Sequence, residues 1–145
     1  MPIEYREGSL FESGAQVLVN PVNAMGVMGK GVAVVFKGKY PKMFESYQRA
    51  CQQKQLFAGD VHTYFGEQII FNAVTKQHWR DPSKLIYVDS CLKRISEIIE
   101  YSDIESIAIP ALGCGLGNLN WRDVQPLIES NLCESKATVI AFLPR

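Results

Sequence analysis

The sequence lacks long apolar runs. MPIEYREGSL at the N-terminus is charged and has no apolar stretch of signal-peptide length, and no run approaches the ~18 apolar residues of a spanning helix. A soluble, cytoplasmic protein with no membrane partner is expected. Net charge is also missing. Fifteen basic residues balance fifteen acidic ones, so generic adhesion to nucleic acid is not expected and any such contact has to be local. Cysteine is sparse: Cys51, Cys91, Cys114 and Cys133 form no CxxC pair. That spacing suggests neither a zinc site nor a disulfide framework, and it suits a reducing compartment. No metal constellation is visible, and no cofactor is expected. Repeats, low-complexity tracts and linkers are absent too, so residues 1–145 read as one domain, a monomer able to bury roughly 70% of its unfolded surface.

What is present alternates between strand and helix. AQVLV (15–19), SIAI (106–109) and TVIAFL (138–143) are short, branched, apolar runs of the kind covered on both faces of a parallel sheet. VHTYFGEQIIFNAV holds two strand-like runs around Gly66 and predicts a hairpin. The clearest helix lies in DPSKLIYVDSCLKRISEIIE, where Asp81 can cap, Pro82 suits the first turn, and Leu85, Val88, Leu92, Ile95 and Ile99 recur at helical spacing. Others are expected from Gly31 to Lys39, from Pro41 to about Gln52 with Met43, Phe44, Tyr47 and Cys51 facing inward, and from Trp121. Pro126 predicts a kink or a late start in that last helix. This alternation predicts an α/β layered domain with a mostly parallel sheet and one antiparallel hairpin, its ligand beyond the carboxyl ends of the strands.

Two glycine loops follow buried strands. The first, GVMGKG, is neither a Walker A sequence nor the dinucleotide fingerprint; the second, GCGLG, carries Gly113, Gly115 and Gly117 ahead of the Trp121 helix. One such loop reads as a tight turn. Two on one sheet favour an anion cradle, because bare amides and a helix N-terminus together suit a diphosphate. Asn20 and Asn23, at the exit of the first strand, either satisfy their own turn or present donor and acceptor to a sugar diol. Lys30 reads as solvated rather than catalytic.

VNPVNAMGVMGKGVAVVFKGKYP together with IPALGCGLGNLNW resembles the macrodomain family, in which a strand ending in NxxN and a glycine loop are joined by a second glycine loop after a later strand. The resemblance covers essentially the whole chain. It is nearest to the DarG-type branch of DNA ADP-ribosyl glycohydrolase antitoxins, and more distant from terminal ADP-ribose protein glycohydrolase. NAVTKQHWRDPSKL (72–85) is similar to the lysine-bearing segment of that branch. The resemblance implies a three-layer α/β/α macrodomain with a mixed, mostly parallel central sheet and ADP-ribose in a cleft across its top. It puts Ser9 and Leu10 near the adenine, although many members have aspartate in place of Ser9, with Phe142 flanking the base. Asn23 would face the distal ribose, Gly29, Lys30, Gly31 and Val32 would line that ribose and phosphate, and Leu112, Gly113, Cys114, Gly115, Leu116, Gly117 and Asn118 would wrap the diphosphate.

In the resembling family the lysine matching Lys76 attacks the anomeric carbon of the distal ribose and expels the modified group, after which water releases ADP-ribose. Read alone, a lysine at a strand end is a solvated charge; a nucleophilic one needs burial or nearby positive charge, which His78 and Arg80 can supply. The assisting acid is unassigned. The protein-directed relative has aspartate where Gly117 stands, and the antitoxin branch often has LDW where this chain reads Leu119, Asn120, Trp121. His78 is nearest in sequence, with a structural or solvent-facing role equally open, and His62 reads as structural. Asn120 suits an N-cap, with Asp123 completing an approximate capping box. Thr75, His78 and Trp79 are candidate substrate contacts: KQHWRDPSK is locally basic around an aromatic face, which suits a single-stranded base, though Trp79 equally suits packing on the next helix.

The resemblance thus implies an ADP-ribosyl glycohydrolase acting on modified macromolecules, foremost thymidine-linked ADP-ribose on DNA, with protein as a further substrate and a DarT-like toxin as cognate partner. Hydrolysis of ADP-ribose 1''-phosphate or O-acetyl-ADP-ribose, and ADP-ribose binding without turnover, are the alternatives. The glycine loops serve all three. Only Lys76 separates them.

Overall fold

A computed structural model describes residues 3–145. Six strands form one sheet in the order β1 (Glu4–Arg6), β6 (Thr138–Phe142), β5 (Ser106–Ile109), β2 (Val17–Asn23), β4 (Ile69–Lys76), β3 (Val61–Phe65). Every pairing is parallel except the β3–β4 hairpin around Gly66. The helices α1 (Gly31–Lys39), α2 (Pro41–Gln52), α3 (Leu85–Glu100) and α4 (Trp121–Leu132) fall in the connections. Strand side chains alternate between two cores. Val17, Val19, Phe71 and Ile107 meet α3 and α4, while Leu18, Val22, Ile70 and Ile140 meet α1 and α2. The three-layer α/β/α expectation is met.

Several boundaries differ from the sequence reading. β2 runs four residues beyond Val19, so Asn20 lies inside the strand. α3 begins at Leu85, not at Asp81; the Asp81 carboxylate accepts the His78 amide instead, and Leu85 is left 38% exposed at the helix start. α4 starts at Trp121 with Pro126 inside it, so there is no late start. The Asn120–Asp123 capping box is not formed: Asn120 makes no side-chain cap, and its main-chain oxygen accepts the Asp123 and Val124 amides. Met43 and Tyr47 are fully buried on α2, Ala50 is buried beside them, and Phe44 and Cys51 are half-buried.

Candidate functional site

The parallel strands β2, β4 and β5 present their carboxyl ends to one edge, where both glycine loops and the 77–84 loop emerge. Register brings the main groups together. A bulge between Val22 and Asn23 pairs Asn23 with Lys76 across β2 and β4, and the Ala24 amide then donates to Gln77 O at 3.0 Å. Asn23 and Lys76, far apart in sequence, therefore leave the sheet side by side. Lys76 is half-buried and is the last residue of β4.

The first loop, residues 24–30, is shaped by Asn23 and α2. Asn23 Oδ1 accepts the Met25 amide at 2.9 Å, and Nδ2 donates to Val27 O at 2.9 Å. Gly26 is left-handed at φ 83° and lies over Gln48 and Cys51. Lys30 is exposed and gives α1 no side-chain cap; Gly31, at φ 62°, opens the helix, and Val32 is half-buried. The first-turn amides of α1, which no side-chain cap satisfies, are thus open to an acceptor.

The second loop is tightly built. Leu119 N donates to Gly113 O at 2.9 Å, Cys114 N to Ala111 O at 3.1 Å, and Asn118 N, from a residue at φ 64°, to Gly115 O at 3.2 Å. The amides of Gly115, Leu116 and Gly117 meet no main-chain acceptor among the described residues. Leu116 is 60% exposed and its Cδ1 lies 3.5 Å from where a Cβ on Gly31 would stand, so the two loops approach one another. Such an array attracts an extended anion.

Ser83 holds this loop to the lysine strand, and nothing in the sequence singled it out. It is buried; its amide donates to Gly117 O at 3.0 Å and its hydroxyl to Thr75 Oγ1 at 3.1 Å. A Cβ on Gly117 would collide with Ser83 Oγ and lie 2.5 Å from Gly113 O. The start of the DPSK segment is therefore not helical. It wedges under the second loop. The only generic hint is that a small residue can enter where glycines leave room.

Other assignments change. Asn20, expected at the ligand, is fully buried, and its Nδ2 donates to Asn72 Oδ1 at 3.0 Å. Asn72 Nδ2 contacts His62 Nδ1 at 3.1 Å, and His62 Nε2 contacts Ser46 Oγ at 3.2 Å, a polar ladder beneath the sheet that bears out the structural reading of His62. Thr75, a candidate substrate contact, is 2% exposed and accepts the Ser83 hydroxyl. Leu112 is wholly in the core, so it can offer a ligand only main chain. Ser9 caps the single 3-10 turn Leu10–Glu12 through its hydroxyl, and Leu10 and Phe142 are each 5% exposed in one core cluster. Cys114 is half-buried, and burial pushes its thiol pKa up.

His78 is half-buried and accepts the Arg80 amide at Nδ1. Its ring lies 5.2 Å from that of Trp79, which is 44% exposed with Arg80 stacked 4.7 Å from its centroid. A separate groove of about 580 Å³ lies between α3 and the segment leading into β3, lined by Asp60, Ser90 and Lys93 among others. It contains none of the residues above. Among the described residues no cluster of His, Cys, Asp and Glu is arranged to hold a metal ion.

Comparison with known proteins follows the same lines. The family described as Macro domain matches residues 19–128. The chain is 42% identical over 133 residues to a protein named DNA ADP-ribosyl glycohydrolase from Mycobacterium tuberculosis, covering 88% of this chain and 38% of that protein. It is 35% identical to a DNA ADP-ribosyl transferase–DNA ADP-ribosyl glycohydrolase fusion protein from Thermosipho africanus, over 95% of this chain and 41% of the relative. The chain thus spans about two fifths of the length of these relatives. Among solved structures, the macrodomain of Mycobacterium tuberculosis DarG superposes with a TM-score of 0.95 at 37% identity, covering 99% of this chain and 98% of that one. Thermosipho africanus DarTG in complex with ADP-ribose gives 0.93 at 34% identity, covering 99% and 42%.

Proposed function

The chain belongs to the macro domain family, and from that premise we propose that it is an ADP-ribosyl glycohydrolase that frees thymidine in DNA, with Lys76 as nucleophile. The observation that carries this reading is the pairing of Lys76 with Asn23 at the mouth of β2 and β4, beside two loops with open amides. A diphosphate held by those amides sets one ribose against the strand ends, where a reader that only binds ADP-ribose has no use for an amine. The relatives named DNA ADP-ribosyl glycohydrolases support the substrate.

The chemistry balances without a loop carboxylate. The Lys76 amine attacks the anomeric carbon, a carbon–nitrogen bond forms, and the bond from that carbon to the thymine ring nitrogen breaks. The electron pair stays on a nitrogen flanked by two carbonyls, and this imide anion takes a proton from water as the lysine adduct loses one. A second water cleaves the adduct, releasing ADP-ribose and restoring the amine. A leaving group stabilised in this way needs little acid assistance. This agrees with a segment, PALGCGLGNLN, that has no acidic residue and with Gly117 closed to any side chain.

Trp79 under Arg80 receives a neighbouring base of the strand, with His78 beside it. The substrate is supplied by a DNA ADP-ribosyl transferase, a DarT-like toxin, so a cytoplasmic monomer facing such a partner completes the reading. The test offers thymidine-linked ADP-ribosylated DNA, acidic-residue-linked protein and ADP-ribose 1''-phosphate to the protein and to Lys76→Ala. The expected result is release from DNA by the parent and at least a ~100-fold loss in the variant with ADP-ribose binding kept. Unmodified turnover in the variant removes Lys76 from the mechanism. Hydrolysis of the phosphate ester with DNA left modified overturns the substrate.

A further inference from the structure

Asn23 has almost no hydrogen-bonding capacity left over. Its Oδ1 accepts the Met25 amide at 2.9 Å and lies 3.1 Å from the Tyr47 hydroxyl; its Nδ2 donates one hydrogen to Val27 O. The same Tyr47 hydroxyl donates to the Asn23 main-chain oxygen at 2.6 Å. An amide oxygen has two lone pairs and an amide nitrogen two hydrogens. The hydroxyl has one hydrogen, given chiefly to the main-chain oxygen with Oδ1 as its longer, second acceptor; the Met25 amide and the Tyr47 hydroxyl thus occupy both sides of Oδ1, and one N–H remains. Turning the amide over would set Oδ1 against Val27 O and Nδ2 against the Met25 amide, losing both bonds in a site 6% exposed.

Tyr47 belongs to the inner face of α2 and is wholly buried. Burial pushes its phenol far above the ordinary tyrosine value, so the hydroxyl is a donor at any working pH. On the same helix Gln48 and, one turn beyond Tyr47, Cys51 underlie Gly26. The face of α2 that packs against the sheet is thus also the template for the first glycine loop.

We infer that Tyr47 is a positioning residue that fixes the Asn23 amide so that it addresses its ligand with one N–H and no acceptor. The group it selects is an oxygen lone pair, on a hydroxyl of the ribose that Lys76 attacks. This rests on the reading of Asn23 and Lys76 given above. The pair then holds the sugar by a donor on β2 while the amine on β4 approaches its anomeric carbon, and a slack amide would cost orientation more than binding.

The experiment measures kcat and KM on a thymidine-linked ADP-ribosylated oligonucleotide for Tyr47→Phe, Asn23→Ala, Asn23→Asp and the Tyr47→Phe/Asn23→Ala double variant, with thermal unfolding of each. Tyr47→Phe keeps the ring in the core and removes only the hydroxyl. The expected result is a roughly 5- to 30-fold fall in kcat/KM for Tyr47→Phe, carried mostly by kcat, and a larger fall for Asn23→Ala that the double variant does not deepen. A merely structural role would multiply the two losses instead. Asn23→Asp, which replaces the N–H by an acceptor at the same volume, is expected to lose as much as Asn23→Ala; activity kept in that variant overturns the donor assignment. If Asn23→Ala stays within twofold of the parent, the reading of Asn23 itself fails. If Asn23→Ala is impaired while Tyr47→Phe is not, or if the losses multiply, the inference fails and that reading stands.

Discussion

Gly117 has no room for a side chain. Its φ does not lie in the left-handed range that favours glycine, so the requirement is one of space: Ser83 and Gly113 O fill the volume a Cβ would take. Gly117→Ala is expected to destabilise the fold by about 1–3 kcal/mol through overpacking. It should also weaken ADP-ribose binding at least ~10-fold, because the second loop must shift away from Ser83 and its amides lose their aim. Urea unfolding and calorimetric titration check the two effects separately. A variant that binds normally would show that the loop tolerates the shift. The sequence displayed Gly117 as one of three glycines, without telling that its neighbour in space is a serine thirty-four residues earlier.

Between elements, the polar ladder Asn20–Asn72–His62–Ser46 joins β2, β4, β3 and α2. The order of donors works only with neutral His62: Asn72 Nδ2 donates to Nδ1, so the ring proton sits on Nε2 toward Ser46. Burial lowers the His62 pKa below its usual 6.5. The folded state therefore resists a proton that the unfolded chain accepts. Stability is fully present above pH ~6.5 and declines as pH falls from there through the lowered folded value, because the unfolded state binds more protons in that window. Protonation would also put an N–H against the Asn72 amide and unseat the bond to Asn20, whose Oδ1 already has no partner. Urea midpoints between pH 7.5 and 5 are expected to fall more steeply for the parent than for His62→Gln, which has no titrating group there. Equal slopes would show that His62 does not carry the effect. α3 teaches a related lesson. Asp81 and Pro82 are good helix-start residues, but the buried Ser83 bonds to Gly117 O and Thr75 Oγ1 hold the segment off the helical path, and a local capping signal is worth only about 1 kcal/mol.

At the scale of the molecule, charge is balanced while its distribution is not. The end of β4 and the 77–84 loop carry Lys76, Arg80 and Lys84 against Asp81 alone, and the described ion pairs lie elsewhere, at Arg6–Glu4, Lys93–Asp89 and Arg94–Glu97. A DNA strand that follows this loop would release only a few counterions. Turnover of an ADP-ribosylated oligonucleotide is therefore expected to fall with rising salt by a slope of about one to three in log–log form, whereas turnover of ADP-ribosylated thymidine should barely change. Trp79→Ala combined with Arg80→Ala should reduce oligonucleotide turnover and leave the nucleoside rate alone. Steady-state kinetics from 50 to 300 mM salt would decide it; equal slopes for both substrates would remove the strand contact.

The layered α/β fold, the hairpin, the extents of α1 and α2, and Lys76 at a strand end were legible because periodicity, proline position and glycine placement act within a few residues of themselves. The two glycine loops were legible for the same reason. What only the tertiary structure decided is which of those residues face the cleft. Asn20 and Asn23 look alike in VNPVN, yet the alternation of β2 sends Asn20 beneath the sheet to Asn72, and a bulge sets Asn23 beside Lys76. Thr75, Ser83 and Tyr47 acquire their roles from partners 8, 34 and 24 residues away. A hydrogen bond is selected by geometry at about 3 Å, and no local pattern in a chain specifies which distant atom arrives at that distance.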